Sequence, residues 1–361
     1  MVLGSIDKNI SYPQSLYFSA KAYEFGYFPN GLMIAPPSWD DENNRWLASL
    51  FGLTYQRIIP PQNSDPDAAW KDYLRRIETA LRSGSAVQTC RGWMGAWEKD
   101  GQITSKIGGR LFWWEGLSRK HRPDMHYFTI IGLDRSKGEV YAHDPVFGWY
   151  GWGRDVPIKE KVLRQAVQRS PWQHRYITIV FNRSGALPKN EREIQTLLKK
   201  RIHKKIEGDE SVYDSVEMWR EFFFMPRLDK NFVHGIKGLE AFKTDLQPER
   251  FKRILAAKLQ KRKMKPVEVV SWIDLNMYHN AWVTMISADY LEETGQIDEW
   301  LWLFRLHIFY EQLWMSSAKL RSVFKTTDNV GQAMASISPV LKNMRDTIDV
   351  IIEHFRLYLR Q

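Results

Sequence analysis

Cysteine is almost absent from this chain: Cys90 is the only one among 361 residues. A lone thiol forms no internal disulfide and leaves multi-cysteine metal sites without ligands. Also lacking is a basic start followed by an apolar stretch of signal-peptide length, since the sequence opens MVLGSIDKNISYPQ, so export is not expected. The most apolar later stretch, Trp300 to Met315, is short, is interrupted by Arg305 and Glu311, and reads as a buried helix rather than a membrane span. A cytoplasmic location without membrane contact is the expectation. GxGxxG and phosphate-loop motifs are missing, which disfavours nucleotide-dependent enzymes. His121, His126, His143 and Asp144 fit no standard metal spacing, so no metal or other cofactor is expected.

What is present is an ordinary globular composition, 43% hydrophobic and 26% charged, long enough for two domains. The net charge of +10 favours an acidic partner. The texture of the chain changes near Asn182-Arg183-Ser184-Gly185-Ala186-Leu187-Pro188, a turn-rich stretch that places the boundary between residues 1–184 and 185–361. In the first part, apolar spacing predicts helices over Ser15–Phe25 and Ala69–Leu81. Strands follow at Ser85–Arg91, Tyr127–Leu133, Glu139–His143 and Tyr176–Phe181, so the pattern is α+β with a mostly antiparallel sheet. The second part reads as all-helical, with helices over Glu191–Ile206, Val212–Phe224, Gly235–Thr244, Pro248–Leu259, Trp272–Thr294, Ile297–Lys325 and Asn329–Leu359. Its basic run Lys199–Lys205 reads as a solvated helix face.

The densest chemical signal is a hairpin. Met125-His126-Tyr127-Phe128-Thr129-Ile130-Ile131-Gly132-Leu133-Asp134 is followed, after a turn, by Val140-Tyr141-Ala142-His143-Asp144-Pro145. His126 opens one strand and Asp144 ends the other, which brings both to one end of the ladder. A carboxylate there would fix the imidazole tautomer and stabilise imidazolium. Strict pairing of Asp134 with Glu139 sets Thr129 opposite Asp144, so a bulge must supply the offset. The competing interpretation has His126 capping a strand and Asp144 opening a turn before Pro145.

Cys90 ends the strand that precedes His126. If those strands pair antiparallel, Cys90, His126 and Asp144 converge as nucleophile, base and orienter for acyl transfer. A thiol needs a positive neighbour to ionise near neutrality, which His126 can supply with help from Arg91. Free cysteine is also a common core filler, against which stands the polar setting of Thr89 and Arg91. Trp93, Trp97, Phe112, Trp113 and Trp114, with Phe147, Trp149, Tyr150 and Trp152, would flank the mouth of such a site, or close the core beneath a long loop.

The hairpin residues, with Gly84-Ser85-Ala86-Val87 before them, resemble papain-like proteins of the butirosin-pathway acyltransferase group. The segments His234-Gly235-Ile236-Lys237-Gly238-Leu239-Glu240-Ala241-Phe242 and Ala288-Asp289-Tyr290-Leu291-Glu292-Glu293 are similar to the helical domain that accompanies that fold. The resemblance implies a papain-like domain followed by an all-helical one. It implies transfer of an acyl or peptidyl chain from a phosphopantetheine thioester on a carrier protein to an amine or small diamine, without ATP, in thioamide or peptide antibiotic biosynthesis. The basic surface would then suit an acidic carrier protein rather than nucleic acid. The family places its cysteine at the start of the first helix, where this chain reads Tyr12-Pro13-Gln14-Ser15. Three outcomes are open: activity is lost, Ser15 replaces the thiol, or Cys90 takes over. Cys90 is favoured, because a relocated thiol reaches the same imidazole while a serine needs a stronger base. Gln14 and Ser15 are candidates for the oxyanion site. A cysteine hydrolase using the same residues and an inactive binding module are the alternatives.

Overall fold

The computed structural model describes residues 11–35, 41–60, 65–91, 126–143, 156–168, 175–213, 232–262 and 265–361. Along the first half run α1 (Tyr12–Phe18), a 3-10 turn (Lys21–Tyr23), β1 (Gly26–Phe28), β2 (Met33–Ala35), α2 (Asp41–Leu50), β3 (Leu53–Ile58), α3 (Pro66–Arg82) and β4 (Val87–Arg91). They continue as β5 (His126–Asp134), β6 (Glu139–His143), β7 (Val156–Lys159), α4 (Glu160–Gln168) and β8 (Thr178–Arg183). Beyond them lie α5 (Glu191–Glu207), β9 (Val233–His234), α6 (Gly235–Asp245), α7 (Pro248–Arg262), α8 (Pro266–Glu293), α9 (Ile297–Thr326) and α10 (Val330–Leu359). No helix among the described residues is long and apolar enough to cross a membrane.

These elements fall into two units, one holding Ala48–Pro188 and the other Tyr12–Leu47 together with Lys189–Gln361. The division after Pro188 follows β8, while the segment 12–47, read from sequence as part of the first domain, belongs with the helical residues. The fold is mixed α+β.

The first unit is built on an antiparallel sheet of six strands in the order β3-β8-β4-β5-β6-β7. Asp65 accepts from the Ala68 amide at 2.9 Å and Pro66 occupies the first turn, so α3 starts where its donors are capped and its φ is preset. Its apolar stripe, Ala69, Trp70, Tyr73, Leu74, Ile77 and Ala80, joins Val162, Leu163, Ala166 and Val167 of α4 over Val87, Phe128, Ile130, Val140 and Val180 of the sheet. One face of the sheet thus carries the helical layer, and strand alternation selects the residues that reach it.

The second unit is mostly helical but not wholly so. A small sheet, β2-β1-β9, pairs Gly26 with His234 and Tyr27 with Val233. The helix expected over Ser15–Phe25 stops at Phe18 because Ala20 turns left-handed at φ 56°, and the chain is extended from Glu24. Asn190 and Glu193 cap the start of α5 reciprocally, and Gly208 ends it at φ 79°. Of the helix expected over Val212–Phe224, Val212 ends a 3-10 turn (Glu210–Val212) and Tyr213 is extended, while residues 214–224 lie outside the described residues.

Within this unit α8, α9 and α10 pack side by side with α9 between the other two. Asp274 of α8 accepts from Ser317 of α9 at 3.3 Å and pairs with Arg321 at 2.5 Å. His307 of α9 meets the Ala281 carbonyl at 2.9 Å, and His354 of α10 meets the Trp302 carbonyl at 3.1 Å.

Candidate functional site

The hairpin predicted from sequence is present as β5 and β6. Asp134 closes its turn: Oδ1 accepts from the Ser136 hydroxyl at 2.6 Å, the Ser136 amide at 3.0 Å and the Lys137 amide at 3.1 Å. Those bonds, the Ser136 hydroxyl foremost, hold this exposed carboxyl down at about 2. Asp134 pairs with Glu139, and the register then shifts between Ile130 and Gly132, so that Thr129 faces His143. A bulge therefore exists in the ladder, and it moves the register by one residue toward the pairing that a His126–Asp144 contact would need. Asp144 lies outside the described residues, as do Trp93, Trp97 and Trp149.

β4 and β5 pair antiparallel, as expected of consecutive strands, and the rungs are specific. Cys90 faces Tyr127 and Arg91 faces His126. The end of β4 thus meets the start of β5, with Arg91 rather than Cys90 at the level of His126. Consecutive strand residues belong to opposite faces of the pleat, so Cys90 is not on the face that Thr89 takes. Thr89 and Val87 share one face. Thr89 sits against α3, where the Tyr73 hydroxyl lies 2.9 Å from its Oγ1 and the Thr89 hydroxyl donates to the Ile177 carbonyl at 2.7 Å. Burial there pushes the Tyr73 phenol up.

Cys90 takes the other face with Gln88, and its side chain is 0% exposed. A thiol so enclosed cannot meet a bulky thioester without local opening. Thr129, opposite Gln88, has a buried hydroxyl without a hydrogen-bond partner. Among the described residues no group of three or more His, Cys, Asp or Glu side chains could hold a metal ion.

Gln14 and Ser15 lie in α1, in the second unit, whereas Cys90 and His126 lie in the first. Ser15 occupies the fourth position of its helix, past the first turn's exposed amides, and is 8% exposed. Gln14 is half-buried and hydrogen-bonded to Tyr290, which lowers that phenol against the stronger upward effect of burial.

Sequence reasoning missed a buried ionic cluster in the second unit. Within the run read as a solvated face, Arg201 and Lys205 point inward. Arg201 donates to both carboxylate oxygens of Glu42, to Asn43 and to the Ser19 carbonyl, with its guanidinium 4.7 Å from the Trp46 ring centroid. Lys205, 0% exposed, donates to Glu24 at 3.0 Å, and its ammonium lies 4.2 Å from the Tyr213 ring centroid. The signal was available: Ile194, Leu198, Ile202 and Ile206 define the inner face of α5, and positions 201 and 205 fall on it.

No family model matches this chain, and no curated protein matches it.

Proposed function

We propose that the chain is an amide-forming acyltransferase of papain-like design, acting where β4 ends and β5 begins. The observation that carries the reading is the β4–β5 register, which sets Cys90 and Arg91 at the level of Tyr127 and His126. In the proposed cycle the Cys90 thiolate attacks the carbonyl of a carrier-bound thioester, and His126 returns a proton to the departing phosphopantetheine thiol. An amine then attacks the acyl-enzyme, His126 takes its proton, the amide leaves and the thiol is regenerated. No ATP is consumed, because the thioester is already activated. In this cycle Asp144 would orient the imidazole.

The register sets a condition on this cycle. Cys90 is paired with Tyr127 rather than His126 and is wholly buried, so the thiol is reached only when the end of the ladder opens. Terminal rungs are where ladders open most readily. Intact-mass analysis of the protein with an acyl thioester tests the reading. An adduct that disappears in Cys90→Ala supports it, an adduct on Ser15 moves the nucleophile, and running the reaction with and without amine separates transfer from hydrolysis.

One observation favours a second reading, a binding module without catalysis: Cys90 is wholly buried. That reading predicts no covalent adduct at any residue and unchanged partner binding in Cys90→Ala.

A further inference from the structure

Helix α9 carries two apolar stripes on opposite sides. The inner one, Leu303, Leu306, Tyr310, Leu313, Ser317, Leu320 and Phe324, advances by threes and fours and is buried. The outer one, Ile297, Leu301, Phe304, Ile308 and Met315, has the same spacing, with Glu311 completing the series. Its members are exposed where the inner ones are not: Ile297 53%, Leu301 39%, Phe304 42% and Met315 51%, with Ile308 half-buried. A surface helix of a self-contained domain presents polar residues outward, and an alternating three-four apolar spacing is the seam of a helix that packs against another helix. The seam from Ile297 to Met315 is about 27 Å long at 1.5 Å per residue.

We propose that this outer seam of α9 docks against α9 of a second copy of the chain, antiparallel, about a two-fold axis near Ile308. The charge pattern beside the seam selects that occupant. Asp298, Arg305, Gln312 and Lys319 recur at seven-residue intervals, all exposed, along one edge of it. In an antiparallel pair with two-fold symmetry the same edge of each copy adjoins the other. An axis near Ile308 brings Leu301 to the level of Met315 of the second copy and Phe304 to the level of Gln312. The edge then sets Asp298 beside Lys319 of the second copy and Arg305 beside Gln312, so opposite charges meet and like charges do not. A parallel pair would instead set this edge against the other one, Trp300, His307, Trp314 and Arg321, which offers no carboxylate to Arg305 or Lys319. The helix edge is self-complementary only when one copy runs against the other. An acidic carrier protein would meet Arg305 and Lys319 but also the carboxylate of Asp298, whereas a second copy sets Lys319 against Asp298.

The test is sedimentation equilibrium of the full chain over a wide concentration range. A monomer–dimer equilibrium with a Kd of roughly micromolar order is expected for an interface of one helix pair. Leu301→Glu, at an exposed position that does not endanger the fold, weakens the dimer at least about tenfold. Lys319→Glu also weakens it, by setting a second carboxylate against Asp298, and adding Asp298→Lys to that variant restores most of the loss. Circular dichroism of each variant confirms unchanged helicity. A chain that stays monomeric at every concentration, a dimer indifferent to Leu301→Glu, or a double swap no tighter than Lys319→Glu alone would each overturn the proposal.

Discussion

Arg91, and not Cys90, is the rung partner of His126 in the β4–β5 ladder, while Cys90 faces Tyr127 from within the protein. This relationship makes the reactivity of Cys90 a measure of local opening. Alkylation by iodoacetamide in native buffer should run about a hundredfold or more slower than in denaturant, the factor that an opening free energy of ~3 kcal/mol imposes. Time-resolved mass spectrometry checks this, and native labelling at the denatured rate would mean the thiol is already open.

Arg201 offers a test of the buried cluster. Arg201→Ala removes the buried guanidinium that donates to Glu42 and Asn43 and should cost about 3–5 kcal/mol. Arg201→Lys should also be strongly destabilising, because an ammonium cannot reproduce the fork that spans Glu42, Asn43 and the Ser19 carbonyl. Urea unfolding of both variants gives the answer. Equal stability of Lys and Arg at this position would show that charge alone suffices.

Burial holds the His354 ring down at about 4 against an ordinary 6.5, in spite of its bond to the Trp302 carbonyl. The folded state therefore favours the neutral ring. Its contribution to stability is complete above about pH 6.5 and is lost as the pH falls through about 4. His354→Gln, which keeps a donor for Trp302, should flatten the acid limb of the stability profile by about 1 kcal/mol after allowing for solvent screening. Unfolding free energies at pH 7, 5.5 and 4.5, values chosen to bracket roughly that window, would reveal it. A variant whose acid limb is as steep as the parent's would rule the ring out as a cause.

Gly235 sits at φ 57°, and a Cβ built there comes within 2.3 Å of the Ile206 carbonyl oxygen and 2.7 Å of the Lys205 oxygen. Backbone atoms cannot step aside as a side chain can. Gly235→Ala should therefore cost well over the ~1 kcal/mol of a left-handed alanine, and thermal unfolding should show a Tm lower by several degrees.

The helical unit was largely legible because its helices are long and well punctuated. Asn190 with Glu193, Gly208 and Pro248 mark ends that the structure shows, while the helix expected from Trp272 already begins at Pro266. The hairpin was legible through Asp134 and Gly138, whose turn chemistry fixes the register at Asp134–Glu139. What failed to show was short or depended on distant partners. β1, β2 and β9 have two or three residues each, too few for a period to register. Ala20 breaks α1 with no glycine or proline to announce it. At the candidate site the strand adjacency was legible, yet the single-residue difference between Cys90–His126 and Arg91–His126 was not. It is set by where the ladder begins, and no local propensity encodes that.

The pairing of Gly26 with His234 and Tyr27 with Val233 also bears on how the protein is made. The two sides of that ladder leave the ribosome about 200 residues apart, which at 5–20 residues per second is a delay of about 10–40 s. During that interval the strand at 26–28 has emerged without its partner at 233–234, while the whole of the unit from Ala48 to Pro188 is synthesised. The strand at 26–28, made well before its partner, is thus locked in place only when residues 233–234 follow. Protease pulses on stalled nascent chains should find residues 12–47 susceptible until β9 and α6 have emerged, with the six-stranded unit already resistant.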